Sequence, residues 1–262
     1  MAYMKIIRSK DNSTYKLAVK LLKRKFRDDT GMYLLEGVKP VLDAIDNGQR
    51  IEYIFIEDSD SDRGIPGFPE SMVIGLDKKL FAEISDTNTS QGMIAMVQQQ
   101  PSGDEQLDKL LEGEGKLMVL DRIQDPGNMG TIIRTAEAAG YGGVLLMKGC
   151  VDPYSPKVVR AAAGSLFRIP VVQKVSEEKL FAGAKASGRT MFVTALEDAI
   201  DYSEGQYDNK SIIVIGNEGQ GVSENFKNAA DFKIKIPMAG AIESLNAAVA
   251  AGILMYQSQK SN

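Results

Sequence analysis

The sequence predicts an α/β protein in two units. A small α/β unit spans 1–100, a linker covers 101–115, and a larger unit with a parallel sheet fills 116–262. Three observations lead there. From Lys116 onward, six apolar runs (KLMVLD, GVLLMK, FRIPVVQ, TMFVTAL, SIIVIG and FKIKIP) alternate with helix-like stretches. Runs such as IIVI are apolar at every position, as parallel strands covered on both faces require. Residues 98–115, by contrast, are polar, with Pro101 and several glycines, and break the beat. A chain of 262 residues, 44% hydrophobic, suits one large domain or two modest ones.

In the first unit, Leu17, Leu21 and Leu22 share one side at helical spacing, with lysines elsewhere, which predicts a helix over 12–26. GMYLLEG (31–37) reads as a strand, and VKPVLDAIDNG (38–48) as a helix that Gly48 ends. RIEYIFIED (50–58), SMVIG (71–75) and QGMIAMVQQ (91–99) read as strands. SDSDRGIPGFPE, between the first two of these, is a loop rich in Gly, Pro and acids. Within the linker, DEQLDKLL suits a short helix.

The net charge of −4 conceals an asymmetry. Residues 1–39 hold ten Lys/Arg and four acids, a net +6 that leaves −10 for the remainder. A basic end on an acidic body suits either a polyanion such as RNA or a plain solvated helix face. No apolar run reaches the ~18 residues of a membrane span. The opening MAYMKIIRSKDNSTYK lacks the apolar core of a signal peptide. The single cysteine, Cys150, excludes an internal disulfide framework and points to a reducing, cytoplasmic setting. With no histidine and one cysteine, no zinc site or other metal site is expected. A Ser-His-Asp triad is excluded outright.

Three stretches carry candidate chemistry. In LDRIQDPGNMGTIIRTAEAAGYGGVLL (120–146) a strand ends at Asp121, and Asp125-Pro126-Gly127-Asn128 forms a turn. Asn128 is then placed to cap a helix running to Gly140, with Asn128, Thr131 and Arg134 on successive turns. Arg134 either serves a ligand at the strand's carboxyl end or pairs with Glu137 on the surface.

IIVIGNEGQGVSEN (212–225) packs Gly216, Gly219 and Gly221 into six positions. The order G-x-x-G-x-G is not the dinucleotide fingerprint, and Val222 stands where a Walker loop needs lysine. Glu218 would repel a phosphate by about 4 kcal/mol per charge pair at ~4 Å and an effective dielectric near 20. The turn therefore suits a neutral or cationic ligand. S-adenosylmethionine, a sulfonium without phosphate, fits; so does a tight turn before a helix capped by Ser223.

In FKIKIPMAGAIESLNAAVAAGILMYQ (232–257) a strand stops at Pro237, and Ser244 is expected to cap an alanine-rich helix. Its small residues permit close approach of a ligand, a second subunit or an ordinary core.

Taken together, DPGNMGTIIRTA (125–136), IVIGNEGQGVS (213–223) and IPMAGAIESLN (236–246) resemble the three ordered motifs of the SpoU (TrmH-type) family of RNA 2′-O-ribose methyltransferases, in the SPOUT superfamily. SPKVVRAAAGSLFRIPV (155–171) resembles the family's intermediate segment. Asp125 departs from the asparagine common in the family. The resemblance implies a deep trefoil knot in the C-terminal domain and a homodimer formed through it. It also implies a ribosomal-protein-like, RNA-binding first domain and S-adenosylmethionine as cofactor. By the same resemblance, Arg134, Asn128, Glu218, Ser244 and Asn246 form the catalytic group. Thr194, Gly216, Asn217, Gly221, Ile236, Met238 and Leu245 line the cofactor pocket. Lys20, Lys23, Arg24 and Lys25 would grip RNA. Large-subunit (23S) ribosomal RNA is the expected substrate, with transfer RNA as runner-up. The competing readings are an idle RNA-binding protein on the same fold and a nucleotide-dependent α/β enzyme.

Overall fold

A computed structural model of the chain describes residues 5–58, 65, 67–87, 90–242 and 244–260. The chain forms two compact units. One comprises 1–99 together with 152–167; the other comprises 100–151 together with 168–262. Two stretches thus lie elsewhere than the sequence suggests. Residues 101–115 are part of the second unit, and residues 152–167 are part of the first.

The first unit is a five-stranded mixed sheet. Its strands are β1 (Lys5–Ile7), β2 (Met32–Glu36), β3 (Ile51–Glu57), β4 (Val73–Leu76) and β5 (Met93–Gln98), in the spatial order β1-β4-β3-β5-β2. β5 runs antiparallel to both neighbours; the other pairings are parallel. Its helices are α1 (Ser13–Leu21), α2 (Arg24–Thr30), α3 (Val38–Asp46), α4 (Lys78–Ile84) and, from the returning segment, α7 (Pro156–Ala162). Leu34, Phe55, Ile94 and Met96 join Tyr15, Ala18 and Leu21 of α1 and Leu80, Phe81 and Ile84 of α4 in one core. The alternate position Tyr33 meets Tyr154 at 4.8 Å between ring centres, so β2 obeys the strand period of two. The loop read at 59–70 lies largely outside the described residues.

The single helix expected over 12–26 is two. Asn12 caps α1 by accepting from the Thr14 and Tyr15 amides, and the backbone turns extended at Lys23 before α2. Arg27 accounts for the break. Its guanidinium is buried, donates to the Leu21 carbonyl that ends α1, and pairs with buried Asp152 at 2.6 Å. A straight helix would carry Arg27 away from that carbonyl.

The second unit is a seven-stranded, wholly parallel sheet. It contains β6 (Leu117–Leu120), β7 (Gly143–Met147), β8 (Val171–Val175), β9 (Met191–Thr194), β10 (Ile200–Asp201), β11 (Ile212–Ile215) and β12 (Phe232–Lys235). The order is β10-β12-β9-β11-β6-β7-β8. Of the helices, α5 (Asp104–Glu112), α8 (Glu177–Ala186) and α9 (Glu224–Ala229) cover the face bearing Leu117, Val119, Val193, Ile212 and Val214. Met118, Leu120, Ile213 and Ile215 are equally buried, and α6 (Pro126–Ala138) and α10 (Ala247–Gln259) pack together and against the strands on their side. Both faces are covered, which is why these strands read as unbroken apolar runs. β8 starts later than expected because Pro170 contributes no amide to the ladder; its carbonyl accepts from the Val144 amide.

Because all seven strands are parallel, their carboxyl ends share one edge. The neighbours β12, β9, β11 and β6 deliver the loops at 236–246, 195–199, 216–223 and 121–125 side by side on that edge. This is where ligands gather in open α/β sheets.

Candidate active site

The turn after β11 closes on itself. Asn217 and Gly221 exchange two backbone hydrogen bonds, of 3.1 and 2.9 Å, and the Asn217 Oδ1 accepts from the Gly219 and Gln220 amides. A Cβ on Gly216 would stand 2.2 Å from the backbone of Gly221 and Val222. Gly221 adopts φ +66°, the left-handed region. Gly216 and Gly221 are therefore demanded first by the return of the turn itself.

The loop after β6 braces that turn. Buried Asp121 accepts from the Ser223 amide at 2.8 Å and from Arg122 Nε at 3.0 Å. Arg122, itself at φ +59°, reaches the Gln220 side chain and the Gly221 carbonyl, and its own carbonyl accepts from Asn217 Nδ2. Ser223 stands at the N-cap of α9, but its hydroxyl makes no capping bond.

Asp125, not Asn128, caps α6: its Oδ1 accepts from the Asn128 amide at 2.8 Å, and Pro126 follows at the first helical position. The Asn128 side chain is thereby released for another task. Its Nδ2 donates to Glu218 Oε1 at 2.9 Å, and its Oδ1 accepts from Asn246 Nδ2 at 2.8 Å. Asn246 in turn accepts from the Ala248 and Val249 amides. Backbone N–H groups only donate, so Asn246 must turn Oδ1 to the helix and Nδ2 to Asn128. Asn128 must then offer Nδ2 to Glu218. Helix geometry at α10 thus sets every amide orientation up to the carboxylate.

Ser244 is not the cap of α10. It is exposed two residues before Asn246, which takes that place. Thr194 spends its hydroxyl on the Val214 carbonyl at 3.1 Å, clipping β9 to β11. Ile236, Met238 and Leu245 are half-buried, while Leu196 and Ile242 on adjoining loops are 73% and 64% exposed. Glu243 of the third motif lies outside the described residues.

Arg134 is exposed on α6 and has no hydrogen-bond or ion-pair partner among the described residues. The surface pair with Glu137 does not form; Arg168 holds Glu137 instead. Cys150 is buried beneath the β6 end and donates to the Leu120 carbonyl. Burial pushes its thiol up to about 11, which keeps it protonated and unreactive at neutral pH.

In the first unit, Lys20, Lys23, Arg24 and Lys25 are all exposed. Lys20 lies over the Phe26 ring at 5.5 Å, and Arg24 is 3.9 Å from Asp28. Arg27, counted in the same basic run, is not available at the surface.

The model of the SpoU rRNA Methylase family matches residues 116–256. The chain belongs to the SpoU family. A second model, the MRM3-like substrate binding domain, matches 12–95. This SpoU chain is 35% identical over 258 residues to the 23S rRNA (guanosine(2553)-2′-O)-methyltransferase RlmP of Bacillus subtilis, covering 97% of this chain and 98% of that one. It is 30% identical over 247 residues to a 23S rRNA (uridine(2479)-2′-O)-methyltransferase of Streptomyces viridochromogenes, covering 89% and 84%. The crystal structure of an AdoMet-bound rRNA methyltransferase from Sinorhizobium meliloti superposes with TM-score 0.87 at 30% identity, over 99% and 98% of the chains.

Arg122, Asp121 and Gln220 of this SpoU site carry no signal in the sequence. Arg122 and Gln220 are 98 positions apart, and no local pattern links them. The cap at Asp125 was missed in the sequence, although a proline at the first helical position signals a cap one residue earlier.

Proposed function

We propose that the protein transfers a methyl group from S-adenosylmethionine to a ribose 2′-hydroxyl of 23S ribosomal RNA. The hydrogen-bonded chain Glu218–Asn128–Asn246 carries this reading, because it ties the three motif loops together on the helix that also presents Arg134, unpartnered among the described residues. Relatives that align along most of the chain are named for 23S rRNA, which ranks ribosomal over transfer RNA.

The residues present fit the cofactor. Leu196, Ile236, Met238, Ile242 and Leu245 offer apolar surface on neighbouring loops, which a flat adenosyl group would cover. Glu218 and the lack of lysine favour a cation over a phosphate. Thr194, Gly216, Asn217, Gly221, Ile236, Met238 and Leu245 are assigned to hold it, largely through backbone groups and apolar contact. When bound, the cofactor supplies a methyl group on a positively charged sulfur for capture by the ribose oxygen.

The chain's own part is alignment. Arg134 holds the phosphate beside the target ribose; a guanidinium keeps its proton at neutral pH and is no base. Asn128 keeps Glu218 and Asn246 in place, and exposed Ser244 is available to the ribose. Lys20, Lys23, Arg24 and Lys25 grip RNA backbone from the first unit. The exposed Val249 and Tyr256 on the largely apolar α10 suit a homodimer contact. β11 and β12 each enter between strands laid down earlier, a strand order consistent with the knot. Among the described residues no helix is long and apolar enough to cross a membrane; a ribosomal RNA substrate supports a cytoplasmic enzyme.

The test is methylation of 23S rRNA transcripts by the purified protein, with 2′-O-methyl mapping. Arg134→Ala is expected to lower transfer about 100-fold, the scale of losing one charge-stabilising donor, with an unchanged melting temperature. Full transfer by a folded Arg134→Ala variant would sink the assignment.

A further inference from the structure

Arg134 and Glu137 are three residues apart on α6, the spacing at which helical side chains meet. An arginine and a glutamate so placed ordinarily pair, and Arg134 would then be turned along its own helix. In this structure Glu137 is engaged from outside the helix. Arg168 Nε lies 2.5 Å from Glu137 Oε1 and its Nη2 lies 3.1 Å from Oε2, a two-pronged grip that uses both carboxylate oxygens. The side chains of Arg168 and Glu137 are 31% and 29% exposed, so solvent screens this pair less than an open surface pair. Arg134 is left with its charge unspent among the described residues.

We propose that Arg168 is a positioning residue for methyl transfer, one that occupies Glu137 so that Arg134 remains available to an RNA phosphate. The inference rests on the proposed role of Arg134. Arg168 touches neither substrate nor cofactor; it acts by withholding a competing anion. Without it, Glu137 competes for Arg134 and also sets a negative charge beside the incoming phosphate.

Three variants test this with the full chain: Arg168→Ala, Glu137→Gln/Arg168→Ala and Arg168→Lys. Arg168→Ala is expected to lower kcat/KM for the RNA about three- to tenfold, the scale of a partly screened charge pair, with unchanged S-adenosylmethionine affinity. Adding Glu137→Gln removes the competing charge and should restore the rate to within about twofold of the parent, a recovery that additive defects would not give. Arg168→Lys, a point charge without the fork, should fall between. In protein labelled with nitrogen-15 at arginine, the Arg134 Nε–H signal, identified by its loss in Arg134→Ala, should exchange more slowly with water in Arg168→Ala than in the parent. Parental activity in Arg168→Ala would overturn the proposal. So would a double variant that melts normally yet stays as impaired as the single one, or an unchanged Arg134 signal. The signal is read without turnover, so an inactive parent would count against the proposed activity and leave the pairing measurement standing.

Discussion

Asn128 answers to two neighbours with opposite demands. Glu218 requires a donor and Asn246 requires an acceptor, and only a carboxamide of this length supplies both from one position. Asn128→Asp keeps the shape and replaces the donor with a second carboxylate facing Glu218. The two acids then share a proton, and the pair's folded-state pKa rises above the unfolded value near 4. A folded state that holds the proton more tightly loses stability as pH rises. The variant should match the parent near pH 4 and fall behind by about 1 kcal/mol at pH 8, discounted because Glu218 is exposed. Melting curves across pH check this, and a penalty that grows toward acid would contradict it. Loss of the donor should also slow methyl transfer at least about tenfold, since Glu218 loses the amide that holds it in place. Of these site residues, the sequence showed which ones recur in the motifs. It did not show that Asn128 bridges rather than caps. Asparagine favours both tasks, and the choice depended on Asp125 having taken the cap first.

At the level of elements, α5 shows how a stretch that reads as linker becomes structure. Its sequence, DEQLDKLLE, is polar apart from Leu107, Leu110 and Leu111. Leu107 and Leu111 enter the second unit's core beside Leu180 and Ala184 of α8. Its C-terminal carbonyls find Arg189, which donates to the carbonyls of Leu110, Leu111, Gly113 and Gly115 at 2.7 to 2.9 Å. A helix end leaves such carbonyls without partners, and a buried guanidinium serves several of them together. Arg189→Ala is expected to cost about 3 kcal/mol in chemical unfolding, from the missing charged hydrogen bonds and stranded carbonyls. A loss below ~1 kcal/mol would show that water replaces Arg189 without penalty. The strands were legible because each is a short apolar run between turns. α1 and α2 were not separable, because the break answers to Asp152, 125 residues beyond Arg27. β1, β10 and α4 are too short to impose a period on the sequence.

For the whole molecule, the order of the seven-stranded sheet was beyond local reading, since β11 lies between β9 and β6 by long-range pairing alone. Family resemblance, carried by three motifs, supplied the family but no strand order. Charge was legible as an asymmetry, and the surface sharpens it: Arg27 is spent inside the first unit, while Lys20, Lys23, Arg24 and Lys25 face water. Replacing those four with glutamine should weaken RNA binding and reduce the slope of log K against log salt by up to about 3 units, near 0.7–0.9 for each phosphate no longer neutralised. Binding measured over a salt series checks this, and an unaltered slope would remove the four from the RNA interface. The excursion of residues 152–167 into the first unit also bears on how such genes can be recombined. A crossover at residue 100 would bring in a foreign first body together with a host segment whose Asp152 and Tyr154 are matched to Arg27 and Tyr33 of the displaced one. Domain shuffling at that boundary is therefore penalised, and a successful chimera must inherit 152–167 from the same parent as 1–99. The chain folds as two bodies, but they form a single unit of inheritance.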